Sequence, residues 1–186
     1  QQTLPEVFAG RASIISDVWH RQDAFQRGKT YLVEAVSGTG KSSLCSFIYG
    51  YRKDYQGIIC FDGENVKNFS VGRWVEIRKR SLSMLFQELR LFPDSLTGHC
   101  KRKQIEDWFS RLGISDKWDQ QIGKMSFGQQ QRVAFVRALC QPFDFIFLDE
   151  PVSHLDDGNG KIMAEILHEE AEKQGAGIIV TSIGKH

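Results

Sequence analysis

The sequence has no apolar run that approaches the roughly 20 residues of a membrane-spanning helix. Its formal net charge is only +1, so no excess of one sign points to nucleic acid or to an anionic membrane surface. Basic runs at 78–80 and 101–103 are typical of a solvated face. No internal repeat and no low-complexity tract is present. We therefore expect a globular chain that acts at a membrane only through a partner.

Cysteine is also scarce, and the four residues are widely spaced: Cys45, Cys60, Cys100 and Cys140. No CxxC pair and no Cys/His cluster indicates a zinc site. Each cysteine has apolar neighbours in the sequence, so we expect buried, reduced thiols. The N-terminus lacks a signal-peptide pattern, and a reducing cytoplasm fits these thiols better than export does.

The remaining composition is that of an ordinary globular protein, with 41% hydrophobic and 25% charged residues. A chain of 186 residues can hold one substantial core, or one core with a small subdomain. Short apolar runs alternate with helical patterns, which predicts a mostly parallel sheet with helices on both faces. The predicted strands are 30–36, 58–61, 82–86, 145–148 and 177–181.

Apolar residues at helical spacing predict the helices between these strands. One helix is predicted over 42–51, with Tyr51 on its apolar face. Another ends at Gly113, and an amphipathic one covers 160–173. Because the stretch that begins near residue 94 has helical signals and no strong strand, we expect a helical subdomain over about 94–140 beside the sheet.

A glycine-rich loop joins the strand at 30–36 to the following helix, which is the context that a phosphate-binding loop requires. Its residues are Ser37, Gly38, Thr39, Gly40, Lys41, Ser42 and Ser43. The glycines let several backbone N–H groups point at one spot. The ammonium of Lys41 suits the β- and γ-phosphates, and the hydroxyl of Ser42 can ligate Mg²⁺. An ordinary strand-to-helix turn is the alternative.

One position departs from the usual phosphate-loop pattern, because Ala35 stands where glycine is expected. If the backbone there needed a positive φ, alanine would cost about 1 kcal/mol. That loss is small beside a grip that uses several phosphate contacts.

Two adjacent carboxylates, Asp149 and Glu150, end the apolar run at 145–148. Asp149, at the carboxyl end of a buried strand, can hold Mg²⁺, and Glu150 can polarise the water that attacks the γ-phosphate. Phosphoryl transfer needs mainly positioning and charge neutralisation, so these acids and the phosphate loop predict a site for ATP and Mg²⁺. A pair of surface carboxylates is the alternative.

The segment MSFGQQQR at 125–132 opens a helix that Ser126 can cap. Together with the phosphate loop, Gln87 in FQELRLFP, the acidic strand end and the SHLD segment at 153–156, it resembles the ATP-binding subunits of ABC transporters. The resemblance covers nearly the whole chain, and the lipoprotein-release and cell-division branch is the most similar. It implies one ABC domain over 1–186 with an α/β, P-loop NTPase fold: a mostly parallel central sheet, an N-terminal antiparallel β portion and a helical signature subdomain.

The resemblance also implies a head-to-tail dimer, of this chain or with another ABC domain, that holds ATP at its interface. Ser126, Gly128 and Gln129 would face the ATP of the partner. Gln87 would contact Mg²⁺ or the attacking water, and Asp156 would couple the two sites. The other implied partner is a membrane permease, so the chain would lie on the inner face of the cell membrane; no nucleic acid is expected.

Two substitutions depart from the family pattern near the ATP. Phe127 replaces the first signature glycine, and its ring could pack on the partner or crowd the nucleotide. Ser182, after Thr181, stands where the family has a switch histidine. A serine can hydrogen-bond a phosphate oxygen but carries no positive charge at neutral pH, so turnover would be slow or another group would contribute. His186 is one candidate for that group, whereas His154 is expected to be an interface contact.

The family stacks an aromatic ring on adenine, and Phe8 is the candidate here, with Trp19 and Tyr31 as alternatives. Phe8 could equally be a core residue. The stretch between Gln87 and Ser126 is shorter than is usual in the family. Family members continue with further strands and helices, so we expect that the C-terminal part of the domain is either truncated or not included in this sequence.

The leading hypothesis is an ATPase subunit that powers a permease, with ATP closing the dimer and hydrolysis reopening it. A soluble ABC ATPase that acts on DNA or ribosomes is a second hypothesis, although such relatives usually carry tandem domains or a long coiled coil. A third is a clamp that binds ATP and hydrolyses it slowly, which the residues Phe127 and Ser182 suggest.

Overall fold

A computed structural model describes residues 4–5, 22–35, 40–86, 100–151 and 157–183. Its strands are β1 (Leu4–Pro5), β2 (Thr30–Ala35), β3 (Tyr55–Gln56), β4 (Cys60–Phe61), β5 (Glu64–Asn65), β6 (Leu82–Leu85), β7 (Phe145–Asp149) and β8 (Gly177–Ile183). Its α-helices are α1 (Lys41–Ile48), α2 (Val71–Arg80), α3 (Arg102–Arg111), α4 (Phe127–Leu139) and α5 (Asp157–Gln174). Short 3₁₀ turns lie at Val66–Asn68, Ser115–Lys117 and Ile122–Lys124.

The central sheet of the described part has the strand order β2-β8-β7-β6. Each neighbouring pair is parallel, which confirms the predicted parallel sheet. Because parallel strands end at the same edge, the carboxyl ends of β2, β7 and β8 lie side by side. Asp149 is directly opposite Thr181 in this register, and Glu34 is opposite Ser182.

Both faces of the sheet are covered, as the continuous apolar runs predict. Ile146 and Leu148 of β7 pack in a cluster with α3, α4 and α5. Phe147, between them, packs on the opposite face with residues of α1 and α2. This alternation is the two-residue period of a strand, and it divides the residues of β7 between the two helical layers.

Short antiparallel pairs, β1 with β3 and β4 with β5, lie outside the central sheet. The β4–β5 hairpin turns at Asp62 and Gly63, whose φ values of 48° and 84° suit the tight turn that favours Asp-Gly. The strand predicted over 58–61 is therefore too long, since only Cys60–Phe61 pairs. The antiparallel portion expected in the first part of the chain is present.

The helix predicted over 42–51 is also too long. It ends at Ile48, and Gly50 follows with a φ of 74° that turns the chain away from the helix axis. Tyr51 consequently lies outside the helix and is 46% exposed, so its predicted place on the apolar face is wrong. The apolar spacing continued past the glycine, and the glycine determined the end.

The cysteines are free, but only two of them, Cys45 and Cys140, are buried. Cys100 is half-buried and Cys60 is exposed, so the prediction of four buried thiols is wrong. Cys60 lies on the short β4, where it is exposed while its neighbour Phe61 packs inward.

The predicted helical subdomain over 94–140 is described from residue 100 onward. Helices α3 and α4 pack together in the core cluster that also contains α5 residues. Arg111 of α3 donates to both carboxylate oxygens of Glu169 on α5, at 2.7 and 2.9 Å. That bidentate hydrogen bond lowers the pKa of Glu169. The division into one domain with a subdomain stays a prediction.

None of the helices in the described ranges is long and apolar enough to cross a membrane.

Two glycines that end helices test the packing at the end of α1. Gly50 and Gly113 both have positive φ values, 74° and 63°. A Cβ at Gly50 would lie 2.4 Å from the ring of Trp74, whereas a Cβ at Gly113 would meet nothing within 4 Å. Gly113→Ala should cost about 1–2 kcal/mol from backbone strain, and Gly50→Ala about 1–3 kcal/mol more from the clash. Urea unfolding of both variants measures the difference, and equal losses would contradict the contact with Trp74.

Candidate active site

The N-terminus of α1 lies at the carboxyl edge of the sheet. Gly40 is its N-cap, with a φ of 98° that favours glycine, and its carbonyl accepts the N–H of Leu44 at 2.8 Å. The first N–H groups of a helix have no partner within the helix and carry a partial positive charge, which suits an anion. Ala35 is simply the last residue of β2, an extended position at which alanine brings no strain.

Lys41, the first residue of α1, is buried with 6% of its surface exposed. Its Nζ lies 3.6 Å from Oε1 of Glu150, and the two side chains are 5% and 13% exposed. Buried charges are costly unless they are paired, and this ion pair gives each side chain a partner of opposite sign. The pair connects the start of α1 to the end of β7.

The two serines after Lys41 differ in their surroundings. Ser42 is exposed on the first turn of α1. Ser43 accepts a hydrogen bond from Nη1 of Arg52 at 3.0 Å. Arg52 also donates to Asp54, and this hydrogen bond lowers the pKa of Asp54 and raises that of Arg52. The sequence motifs do not identify Arg52, because no residue spacing indicates that its side chain contacts Ser43 at the start of α1.

Asp149 is the last residue of β7 and is buried, with 4% exposed. Its Oδ1 accepts a hydrogen bond from Oγ1 of Thr181 at 2.7 Å, across the parallel pair. Asp149 follows Phe147 by two residues, so it lies on the face that α1 covers. Burial raises the pKa of the Cys45 thiol on α1, and the nearby charge of Asp149 raises this pKa further.

Glu150 leaves the strand with a φ of 50°, a left-handed conformation that is uncommon for a residue other than glycine. Continued strand geometry would send its side chain to the face opposite Asp149. The left-handed turn re-aims it, and its carboxylate meets Lys41 instead. The Glu150 N–H donates to both the carbonyl oxygen and Oγ1 of Thr181, each at 3.2 Å.

Ser182 lies within β8 and pairs with Glu34, whereas the sequence pattern put it just after the strand. It is half-buried. Strand alternation directs its side chain to the face opposite that of Thr181.

The N-terminus of α4 is closed by a capping box. Ser126 Oγ accepts the N–H of Gln129 at 3.4 Å, and Gln129 Oε1 accepts the N–H of Ser126 at 3.0 Å. A Cβ at Gly128 would meet only Nη1 of Arg132, at 3.7 Å. Ser126 and the ring of Phe127, which is 50% exposed, lie at the surface.

The helices α4 and α1 lie on opposite faces of the central sheet. Val133 of α4 belongs to the cluster on one face of the sheet, and Cys45 of α1 belongs to the cluster on the other. The fold therefore brings Lys41, Asp149 and Glu150 together and keeps the start of α4 apart from them.

Several predicted site residues lie outside the described residues: Phe8, Trp19, Ser37, Gly38, Thr39, Gln87, His154, Asp156 and His186. Tyr31 is described and lies at the amino end of β2, away from Gly40. Its hydroxyl accepts the N–H of Gln26 at 2.8 Å, and its ring packs edge-on against Phe25.

A family model described as ABC transporter matches residues 24–153. The chain belongs to the ABC transporter family. The ATP-binding protein YclH of Bacillus subtilis is 31% identical over 86% of this chain and 76% of its own length. The macrolide export ATP-binding/permease protein MacB of Shewanella sp. is 29% identical over 86% of this chain, which spans only 26% of that protein.

A third relative, the lipoprotein-releasing system ATP-binding protein LolD 1 of Caulobacter vibrioides, is 28% identical over 83% of this ABC chain and 72% of its own length. Because the three identities are so similar, the branch within the family stays a prediction. The dimeric structure of MJ0796, a bacterial ABC transporter cassette, has a TM-score of 0.75 with 22% identity. It covers 87% of this chain and 78% of that one, and it confirms the predicted α/β fold.

Thiol reactivity tests the packing of α1 against the acidic strand end. Cys45 is 0% exposed and its pKa is raised by burial, so it has almost no reactive thiolate at neutral pH. Cys60 is exposed. Iodoacetamide should modify Cys60 in the folded protein and Cys45 only in denaturant, as measured by peptide mass spectrometry. Equal rates at the two thiols in the folded protein would contradict this packing.

Proposed function

We propose that the chain binds ATP with Mg²⁺ and hydrolyses the ATP to drive a permease partner through closure of an ABC-domain dimer. The observation that carries the proposal is the buried ion pair of Lys41 and Glu150, 3.6 Å apart at the carboxyl edge of the sheet. It joins an ammonium, a helix N-terminus and a carboxylate pair in one place. Membership of the ABC transporter family supports the same function.

The residues present fit both ATP and Mg²⁺. The ammonium of Lys41 and the N-terminus of α1 suit phosphate oxygens. The Ser42 hydroxyl, the Asp149 carboxylate and the Gln87 amide oxygen are the hard oxygen ligands that Mg²⁺ prefers. When bound, Mg²⁺ neutralises charge on the phosphate oxygens. The remaining loop residues, Ser37, Gly38, Thr39, Gly40 and Ser43, would hold the phosphates through backbone N–H groups and hydroxyls.

The chemical step is assigned to Glu150. In the described structure its carboxylate holds Lys41. The phosphates of ATP would attract the same ammonium, which releases the carboxylate of Glu150 to accept a hydrogen bond from water. Glu150 then orients that water toward the γ-phosphate and takes up its proton. Thus Lys41 and Glu150 would pair with each other before ATP binds. With ATP bound, Lys41 would contact the phosphates and Glu150 would orient the water.

The signature residues are assigned to the ATP of the partner. Because the start of α4 lies on the face opposite α1, it suits a second nucleotide rather than the chain's own. Ser126 and Gly128 would approach the γ-phosphate, and the Gln129 side chain would keep the helix N-terminus formed. The exposed ring of Phe127 would pack on the partner.

Four further roles remain proposals. Gln87 would contact Mg²⁺ or the water, and Asp156 would couple the two sites. On the family pattern Ser182 would offer a hydroxyl to a phosphate oxygen, although strand alternation directs its side chain to the face opposite Thr181. Phe8 would stack on adenine. These assignments rest on the family pattern.

The permease would dock near the Gln87 loop. Phe86, the residue before Gln87, has its ring 5.2 Å from that of Tyr51. Tyr51 is 46% exposed, and Val75 on α2 is 41% exposed. Aromatic and apolar side chains at a surface suit a protein partner. Through such a contact the chain would lie on the cytoplasmic face of the cell membrane.

A carboxylate substitution tests the catalytic assignment. Glu150→Gln should lower steady-state phosphate release on the order of 100-fold or more, because the amide cannot take up a proton. ATP binding, measured with a fluorescent ATP analogue, should be retained. Glu172→Gln changes an exposed carboxylate on α5 in the same way and should leave turnover unchanged.

Two outcomes would count against the proposal in different ways. Unchanged turnover in Glu150→Gln would remove Glu150 from the catalytic role. Tight ATP binding by the unmodified chain together with its permease, without measurable turnover, would favour the ATP-dependent clamp.

A further inference from the structure

Thr181 is a fully buried polar residue, with 0% exposed, at the end of an otherwise apolar strand segment. Neither the motifs nor the proposed function give it a role. A buried hydroxyl is costly unless its hydrogen-bonding capacity is used. In the sequence, Thr181 is a polar residue directly after the apolar run at 178–180, and that position is the signal that could have identified it.

The contacts of Thr181 reach both carboxylate residues. Its O–H donates to Oδ1 of Asp149 at 2.7 Å. The same oxygen accepts the N–H of Glu150 at 3.2 Å, and the Thr181 carbonyl accepts that N–H at 3.2 Å as well. A hydroxyl has a single donor hydrogen, so the bond to Asp149 fixes its orientation and leaves a lone pair for Glu150.

This arrangement matters because Glu150 is held at a φ of 50°. Such a conformation persists only where the surroundings determine it, and the shared hydrogen bond from the Glu150 N–H does so. On the other side, Oδ1 of Asp149 is held at a fixed position. A metal-binding carboxylate that is hydrogen-bonded in this way keeps its orientation without a metal.

We propose that Thr181 is a positioning residue that holds Asp149 in the orientation for Mg²⁺ and maintains the turn that aims Glu150 at the reaction. This inference rests on the proposed function and deepens it. Thr181 would act through the two acids, which it contacts directly.

Two substitutions separate the hydroxyl from the shape of the side chain. Thr181→Val keeps the shape and removes the hydroxyl, whereas Thr181→Ser keeps the hydroxyl. Thr30→Val makes the same exchange at an exposed residue of β2 and serves as the matched control. Each variant of the full chain is measured for kcat, for KM of ATP, and for the Mg²⁺ dependence of binding of a fluorescent ATP analogue.

Thr181→Val should lower kcat about 10–100-fold, the usual effect of losing a hydrogen bond to a metal ligand, with little change in KM. It should also shift the Mg²⁺ concentration for half-maximal enhancement of analogue binding upward by about the same factor. Thr181→Ser and Thr30→Val should stay within about 3-fold of the unmodified chain, since the first keeps the hydroxyl and the second lies far from the acids.

If Thr181→Val has the same kcat and the same Mg²⁺ dependence of analogue binding as the unmodified chain, the proposal is overturned. So would a Thr181→Ser variant that loses both, because the hydroxyl would then not suffice. The serine variant decides the matter even if the valine variant does not fold. If the unmodified chain together with its permease binds the analogue but does not hydrolyse ATP, the proposed ATPase function fails. The Mg²⁺ dependence of binding still tests Thr181 in that case.

Discussion

The in-register parallel pairing of β7 with β8 is the constraint on which the rest of the candidate site depends. It sets Asp149 opposite Thr181, and it places both residues on the face that α1 covers. A slip of one residue would move every side chain of β7 to the other face and separate Asp149 from its donor. Ile146, Phe147 and Leu148 are each fully buried in one of the two helical layers, and their close packing opposes such a slip. Core packing therefore determines the geometry of the polar edge.

That edge concentrates buried charge, which is unfavourable for stability by itself. Lys41, Asp149 and Glu150 are each largely removed from water, and a paired arrangement offsets only part of the desolvation. Glu150 adds a strained backbone conformation. This edge therefore combines buried charge with an unfavourable backbone conformation, whereas the layers on either side contain well-packed apolar side chains. Such a concentration of exceptions is expected where function rather than stability selects the residues.

The sequence predicts the sheet well, because buried strands such as Phe145–Asp149 read as apolar runs. Ser126 was predicted as a helix cap for a local reason, since its Oγ bonds within its own helix turn. The apolar spacing places the end of α1 too late, because Tyr51 continues a spacing that Gly50 interrupts. Contacts between residues that lie far apart in the chain could not be predicted in this way. The bonds of Thr181 to Asp149 and Glu150 depend on strand order and register, and Arg52 reaches Ser43 only because α1 is short. Local sequence does not contain this information.

The capping box at the start of α4 has a consequence for how two chains would associate. Ser126 and Gln129 satisfy each other's backbone groups within one turn, so this end of the helix is ordered in the single chain. A surface that is ordered before association loses little conformational freedom when it meets a partner. Association through this surface should therefore need little rearrangement of the start of α4 at each encounter.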